Sequence, residues 1–304
     1  MFPVIRIRSS HAEAVEYLGT KAKFWFRDGE QQMLFKAEER GTGEDWAEKI
    51  ACELCTLLGL PHVHYEMAYD LDQQRPGVVC ASCAPPPLAL AHGNQLLLAL
   101  DPAYPAGAEN RYRSRAHTID AVFEVVSLLR LPDPSWRTHL PPQIQTAAGI
   151  FAGYLLLDAW IANQDRHHEN WGAIWDGEQL SLAPSFDHGA ALARNLSDEE
   201  RHDRLTSRDA RRRVPYFAAR ARSALFATPT AAKPLATLDA WRAFAARVPG
   251  DAASWRERLE AVGPFAVEAV VDQIPPDRMS AVCRRFTLDL LSENRRRLLQ
   301  ADNT

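Results

Sequence analysis

Lysine is scarce in this 304-residue chain: Lys21, Lys23, Lys36, Lys49 and Lys233 are the only ones, and all other strong bases are arginine. Long apolar runs are missing too. The longest, around Leu96–Leu100 and Gly153–Leu157, fall far short of the ~20 residues that a membrane-spanning helix needs, so no membrane role is expected. The opening Met-Phe-Pro-Val-Ile-Arg-Ile-Arg carries charge and a proline where a secretory core would be apolar. The five cysteines are odd in number, in a chain too long to need disulfide staples, which points to a reducing compartment and the cytoplasm. A net charge of −4 gives no basic surplus for a dedicated nucleic-acid binder, and no direct DNA binding is expected. No internal repeat or low-complexity linker divides the chain. What is present, 46% hydrophobic and 24% charged residues, is the composition of a folded globular protein.

The period of the apolar pattern changes along the chain. Residues 23–35 alternate as a hairpin about a turn at Asp28-Gly29. Gly41 and Gly43 then break the chain, and Glu44-Asp45 places acid at a helix start. The helix sets Trp46, Ile50, Leu54 and Leu57 on one face and stops at Gly59, with Pro61 beyond. Residues 62–71 and 77–81 read as further strands. Cys83-Ala-Pro-Pro-Pro interrupts all periodicity and suits a hinge. Beyond it, Ile144, Ala148, Phe151, Leu155, Ala159 and Ala162 mark one buried helix ending near Asn163. Short strands at 171–175 and 179–182 flank the turn Asp176-Gly177. Residues 214–304 read as amphipathic helices broken at Pro229, Pro234, Pro249 and Pro275-Pro276. The pattern predicts an α+β protein with a small strand-rich lobe, 1–84, and a larger helical lobe, 85–304.

The chemistry concentrates between Ile161 and Ala190. Asp165 and Asn170 lie five apart in the loop after the buried helix, and Asp187 follows the strand pair, just before His188-Gly189. Phosphoryl transfer from ATP needs one carboxylate at the acceptor hydroxyl, and oxygen ligands, often an asparagine and a second aspartate, to hold Mg²⁺ on the phosphates. Asp165 fits the first role, Asn170 and Asp187 the second. Phe186-Asp187-His188-Gly189 compares with the Asp-Phe-Gly element of protein kinases. An isolated Asp-x-x-x-x-Asn is usually surface turn chemistry. Here the preceding helix, the strand pair and the second aspartate coincide with it.

These residues resemble the HipA family of kinases. Asp165-Arg-His-x-x-Asn170 and Leu182-Ala-Pro-x-Phe-Asp187 look like that family's catalytic and metal loops, and the first form is shared with phosphatidylinositol 3- and 4-kinases. Met33-Leu-Phe-Lys36, Glu48, Leu58-Gly-Leu-Pro61, His92-Gly-Asn-Gln-Leu-Leu97 and the terminal segment from Met279-Ser280 to Leu299 follow the family's order. The resemblance implies a two-lobed, protein-kinase-like fold with ATP and Mg²⁺ in the cleft. It implies serine/threonine phosphorylation of a protein, such as an aminoacyl-tRNA synthetase or another translation component, and an antitoxin partner. Longer family members have an additional N-terminal subdomain that this sequence does not show, which puts a stable antitoxin-docking region in doubt.

Carried over residue by residue, Lys36 would bridge the ATP phosphates and a helix glutamate. At about 100° per residue, Glu48 lies away from the Ile50–Leu54–Leu57 stripe and beside Cys52 and Cys55, where a carboxylate wants a cation. Lys36 is one candidate for that cation, and surface pairing by Glu44 or Lys49 is the competing account. Gly19, with Lys23 four residues on, resembles the family's phosphate-covering loop; on residue type alone it is a turn. Where the family has an autophosphorylated serine, three residues before that glycine, this chain has Glu16. Arg166 and His167 are expected to brace the loop.

Three further patterns bear on function. Cys52-x-x-Cys55 and Cys80-x-x-Cys83 have the form of a zinc site, which would make a metal-stapled binding module. Against it, the first pair lies inside an amphipathic helix, where buried cysteine serves as a small hydrophobe. Residues 201–222 carry eight arginines against Asp203 and Asp209, about +6 in all, which reads either as a solvated face or as a docking patch for an acidic partner. A phosphatidylinositol-type lipid kinase and a nucleotide-binding pseudokinase are the remaining alternatives.

Overall fold

The computed structural model describes residues 1–15, 22–38, 41–107 and 114–300. Its first sheet is made of β1 (Val4–Ile7), β2 (Ala14–Val15), β3 (Lys23–Asp28), β4 (Gln31–Ala37), β5 (Tyr65–Asp70) and β6 (Arg75–Ala81) in the order β1-β5-β6-β4-β3-β2. β1 runs parallel to β5, with Val4 opposite Met67, and the other pairings are antiparallel. The expected hairpin closes one residue later than the pattern suggested, through Gly29-Glu30, with Asp28 opposite Gln31. Period two then decides which side chains meet the rest of the molecule. Phe35 and Ala37 enter a small core with Phe24, Phe26 and Val79, so Leu34 and Lys36 must point to the opposite face.

That opposite face packs on α1 (Glu44–Leu58). The helix stops where Gly59 takes φ 75°, a left-handed conformation that only glycine adopts cheaply, and its N–H returns to the Cys55 and Thr56 carbonyls. Of the expected strand 62–71, only 65–70 is ladder; His62 makes an isolated parallel bridge with Ser185.

β7 (Ala89–His92) follows the proline run and pairs with β8 (Gly172–Trp175), which pairs with β9 (Leu180–Leu182) in a second sheet. The helices are α2 (Gly93–Leu100), α3 (Ile119–Leu128), α4 (Ala147–Trp160), α5 (Asp198–Thr206), α6 (Val214–Ala218), α7 (Thr237–Ala245), α8 (Pro249–Ala261), α9 (Pro264–Asp272) and α10 (Ala281–Leu299). Every residue of α4 is buried. It is shorter than its apolar pattern suggested, because Ala162 turns left-handed at φ 53° and releases the chain into the loop. α10 seals that end: Trp160 Nε1 donates to the Leu291 carbonyl, and Asn294 Nδ2 donates to that of Trp160. Pro249 begins α8 at a position where its missing N–H costs nothing. Among the described residues no helix is long and apolar enough to cross a membrane.

Candidate active site

A cleft of about 640 Å³ separates the inner face of the first sheet from the loops at the C-terminal end of α4. Lys36 reaches into it from β4. Its Nζ lies 2.9 Å from Asp187 Oδ1, 3.3 Å from Glu48 Oε2 and 3.3 Å from the Tyr65 hydroxyl. Burial alone would lower the lysine's pKa, but the Asp187 and Glu48 carboxylates outweigh it and hold the ammonium well above its usual range. Burial likewise works against Glu48, yet Lys36 and a hydrogen bond from His188 keep it ionised below the usual carboxylate range. Glu48 Oε1 accepts the His188 backbone N–H at 2.6 Å. One buried glutamate therefore holds both the strand lysine and the backbone just after Asp187. The competing partners are engaged elsewhere: Lys49 is buried and pairs with Glu53 at 2.7 Å and Glu66 at 2.9 Å, while Glu44 pairs with Arg194.

The loop from Asn163 to Asn170 is built on a buried ion pair. Arg166 Nε and Nη2 each donate to Asp158 at 2.8 Å, and Nη1 donates to the Asn170 carbonyl at 2.9 Å. Asp158 also accepts from Asn163 Nδ2 at 2.8 Å. The Asn170 amide donates to the Asp165 carbonyl at 2.7 Å, so its Oδ1 is the atom left to act as an oxygen ligand. His167 accepts the Glu169 N–H on Nδ1 and lies 3.7 Å from the Asp165 carboxylate, a loop brace as expected for Arg166 and His167. His168 turns away, 2.9 Å from the Tyr104 hydroxyl.

The segment His92–Gln95 holds the same loop from the other side. His92 Nδ1 donates to the Glu169 carbonyl at 2.8 Å, Asn94 N to that of His168, and Gly93 N to that of Trp171. A Cβ on Gly93 would stand 2.3 Å from the Trp171 ring, which explains the glycine. Asp187 has φ 61° and its side chain is one-third exposed to the cleft. A non-glycine residue in this region is held there by its surroundings. Ser185 N donates to the Pro61 carbonyl at 2.9 Å, and the Ser185 carbonyl accepts from Val63 N at 2.9 Å.

Of the residues singled out from sequence, Lys36 contacts both Glu48 and Asp187, and Asp165 and Asn170 line the same cleft. Lys23 lines it too, directly opposite Lys36 on the neighbouring strand. Gly19 lies outside the described residues. Asp187 and Asn170 supply the oxygen atoms that would suit a hard divalent cation. Asp158 escaped the sequence reading, and His92 and Asn94 were noted there only as part of the family's order, with no role given. Asp158 had a signal, being the only charge in an otherwise apolar helix. The four paired cysteines do not converge: Cys55 enters the large core, whereas Cys52, Cys80 and Cys83 pack with Val63 and Tyr65, and all are free thiols.

The sequence matches no family model, and no curated protein matches it. Solved structures do share its fold. The proinflammatory kinase CtkA of Helicobacter pylori superposes with a TM-score of 0.69 at 16% identity, over 97% of this chain and 95% of that one. The HipA of Shewanella oneidensis MR-1, solved as a toxin–antitoxin complex with HipB and operator DNA, superposes at 0.58 and 13% identity. There the match covers 93% of this chain but 65% of HipA. The protein thus has the two-lobed, HipA-like kinase fold.

Proposed function

We propose that the protein is an ATP- and Mg²⁺-dependent phosphotransferase, a serine/threonine protein kinase of HipA-like character. The observation that carries this reading is the bridging of Glu48 and Asp187 by Lys36 in a cleft that also receives Asp165 and Asn170. Bound ATP with Mg²⁺ would supply the phosphoryl group and neutralise its charge. Lys36 would hold the phosphates, with Lys23 beside it, and Glu48 would keep Lys36 oriented. Asp187 and Asn170 Oδ1 would hold the metal. Asp165 would orient the acceptor hydroxyl and take its proton.

A protein acceptor is favoured over a lipid by the surface beside Gln164. A groove of about 790 Å³ next to the Asp165 loop is lined by Arg204, Arg211, Arg212 and Arg220, with Glu199, Glu200 and Asp203 interspersed. Its mixed charges suit an acidic polypeptide segment; anionic membrane surfaces attract dense, one-signed basic patches. A translation component such as an aminoacyl-tRNA synthetase is the proposed target class, and an antitoxin-like partner is proposed on the likeness to HipA, which was solved with HipB.

Titration calorimetry with a non-hydrolysable ATP analogue and Mg²⁺ separates the roles. Asp187→Ala should lose metal-dependent binding; Asp165→Ala should keep binding and lose transfer by about 10²–10⁴-fold. Radiolabelled ATP offered with cell lysate or with phosphoinositide vesicles identifies the acceptor. Full transfer by either variant would sink the site assignment, and labelled lipid without labelled protein would reverse the acceptor.

A further inference from the structure

Behind the cleft, on the far side of the 62–66 segment, a second group of ligating side chains comes together. Cys52 on α1 and His62 and His64 on the chain entering β5 each place one ligating atom within 4.8 Å of the others, the sole such grouping of three or more His, Cys, Asp or Glu among the described residues. We infer that Cys52, His62 and His64 form a binding site for a borderline transition-metal ion, Zn²⁺ in the first place, with solvent as the fourth ligand. The site is separate from the cleft and does not depend on its chemistry.

The hydrogen bonds around the two rings carry the inference. His62 Nδ1 lies 2.7 Å from the Leu60 carbonyl, which can only accept, so Nδ1 bears the proton and Nε2 offers a lone pair. His64 Nε2 lies 2.7 Å from the Glu66 carboxylate, so in the neutral ring Nδ1 carries the lone pair, and that atom faces Cys52 Sγ at 3.5 Å. Each imidazole thus has one nitrogen fixed by an outer oxygen and a lone pair on the other, which an ion would take over from the Thr56 hydroxyl, 3.3 Å from His62 Nε2, and from the Cys52 thiol beside His64 Nδ1. The sulfur accepts the Tyr65 backbone N–H at 3.3 Å; burial keeps the thiol protonated without a metal, and an ion would bind by displacing that proton. Glu66 is kept as an outer partner because its second oxygen is held by Lys49 at 2.9 Å. The charge of Lys49 is met by Glu53 and Glu66.

One thiolate and two imidazoles select zinc or a softer ion over Mg²⁺ or Ca²⁺. Tetrahedral zinc takes sulfur at about 2.3 Å and nitrogen at about 2.0 Å, so the cluster closes on an ion by small side-chain rotations. His64 is 57% exposed on its side chain and leaves the outer face open to water. The position has a structural consequence. Cys52 is one turn beyond Glu48 on α1, and His62 bridges to Ser185, two residues before Asp187. A bound ion would fasten the helix to the strand that leads into the cleft.

The test uses the full chain, reduced and freed of metal with a chelator, titrated with Zn²⁺ by calorimetry and with Co²⁺ by absorbance. One equivalent should bind, with a thiolate-to-cobalt charge-transfer band, and zinc should raise Tm. His64→Ala, at an exposed position, should weaken binding by roughly 100-fold and Glu66→Gln by roughly 10-fold. Cys52→Ser should abolish the charge-transfer band, while Cys80→Ser leaves binding unchanged. No stoichiometric zinc in wild type, or equal affinity in His64→Ala, overturns the site.

Discussion

Removing the Glu48 carboxylate is the most informative single perturbation of the cleft. The Glu48 side chain is 3% exposed and serves two donors, Lys36 Nζ at 3.3 Å and His188 N at 2.6 Å. Stripping one partner from a buried ion pair costs about 3–5 kcal/mol, and an unsatisfied buried N–H costs about 1–3 kcal/mol. The two losses share one carboxylate, and Asp187, 2.9 Å from the same ammonium, still compensates it, so they do not add. Glu48→Ala should therefore cost about 3–4 kcal/mol. Glu48→Gln keeps an oxygen for His188 N but loses the charge and the acceptor for Lys36 Nζ, which Asp187 still meets, and should cost about 1–2 kcal/mol. At about 2 °C per kcal/mol for a chain of this size, Tm should fall by about 6–8 °C and about 2–4 °C respectively. The pH dependence has a definite sign. The folded pKa of Glu48 lies below the ordinary 4.5, so its contribution is complete above 4.5 and is lost as pH falls through the folded value. The gap between wild type and Glu48→Gln, followed by urea unfolding, should be level near neutrality and shrink below about pH 4.5. Equal losses in the two variants, or a loss under about 0.5 kcal/mol in both, would falsify the account of Glu48 as a shared anchor.

Arg166→Lys should lose the paired hydrogen bonds to Asp158 and destabilise by roughly 3 kcal/mol in urea; in a double-mutant cycle with Asp158→Asn the two losses should fall well short of additive. His117 is buried with Nδ1 donating to the Ala224 carbonyl and Nε2 accepting from Trp171 Nε1 at 3.1 Å, and burial pulls its pKa down to about 3. Its contribution is complete above about pH 6.5 and is lost as pH falls towards about 3, by up to ~1.4 kcal/mol per pH unit. His117→Gln can keep both bonds and should flatten the acid limb of the stability curve; an unchanged limb would exclude His117 as its source.

What was legible in the sequence follows from how local each signal is. The 23–37 hairpin and α1 could be read because alternation, a Gly turn and a 3.6-residue stripe are all written within a few residues of one another. Glu48 and Lys36 could be matched because a helical wheel places the carboxylate off the apolar stripe. Asp187 as a second partner of the same lysine could not, since 151 residues separate them. β7 was invisible for the same reason: Ala89-Leu-Ala-His has no alternation, and its ladder partner is β8, some eighty residues on. The parallel pairing of β1 with β5 left no local mark at all. The Cys-x-x-Cys spacings drew the eye, but helix geometry sends Cys55 into the large core and leaves Cys52 beside two histidines ten and twelve positions later.

The partition of the cores decides which wall of the cleft can give. α1 contributes Trp46, Ile50, Leu54 and Leu58 to the large core that runs on through α4, α7, α8 and α10. Arginines from the helical lobe grip it as well: Arg278 pairs with Asp45, and Arg258 Nε donates to the Leu58 carbonyl. The strands carrying Lys36 share instead a small core of Ile7, Phe24, Phe26, Phe35, Ala37, Ala68 and Val79. Displacing α1 would tear a continuous interior, whereas displacing the hairpin would disturb this thin layer, the β4–β6 ladder and the contact of Leu34 with the small cluster around Cys52, Val63 and Cys80. Lys36 is thus the tie between two unequal walls, joining the thinly backed hairpin to Glu48 on the deeply anchored helix and to Asp187 across the cleft.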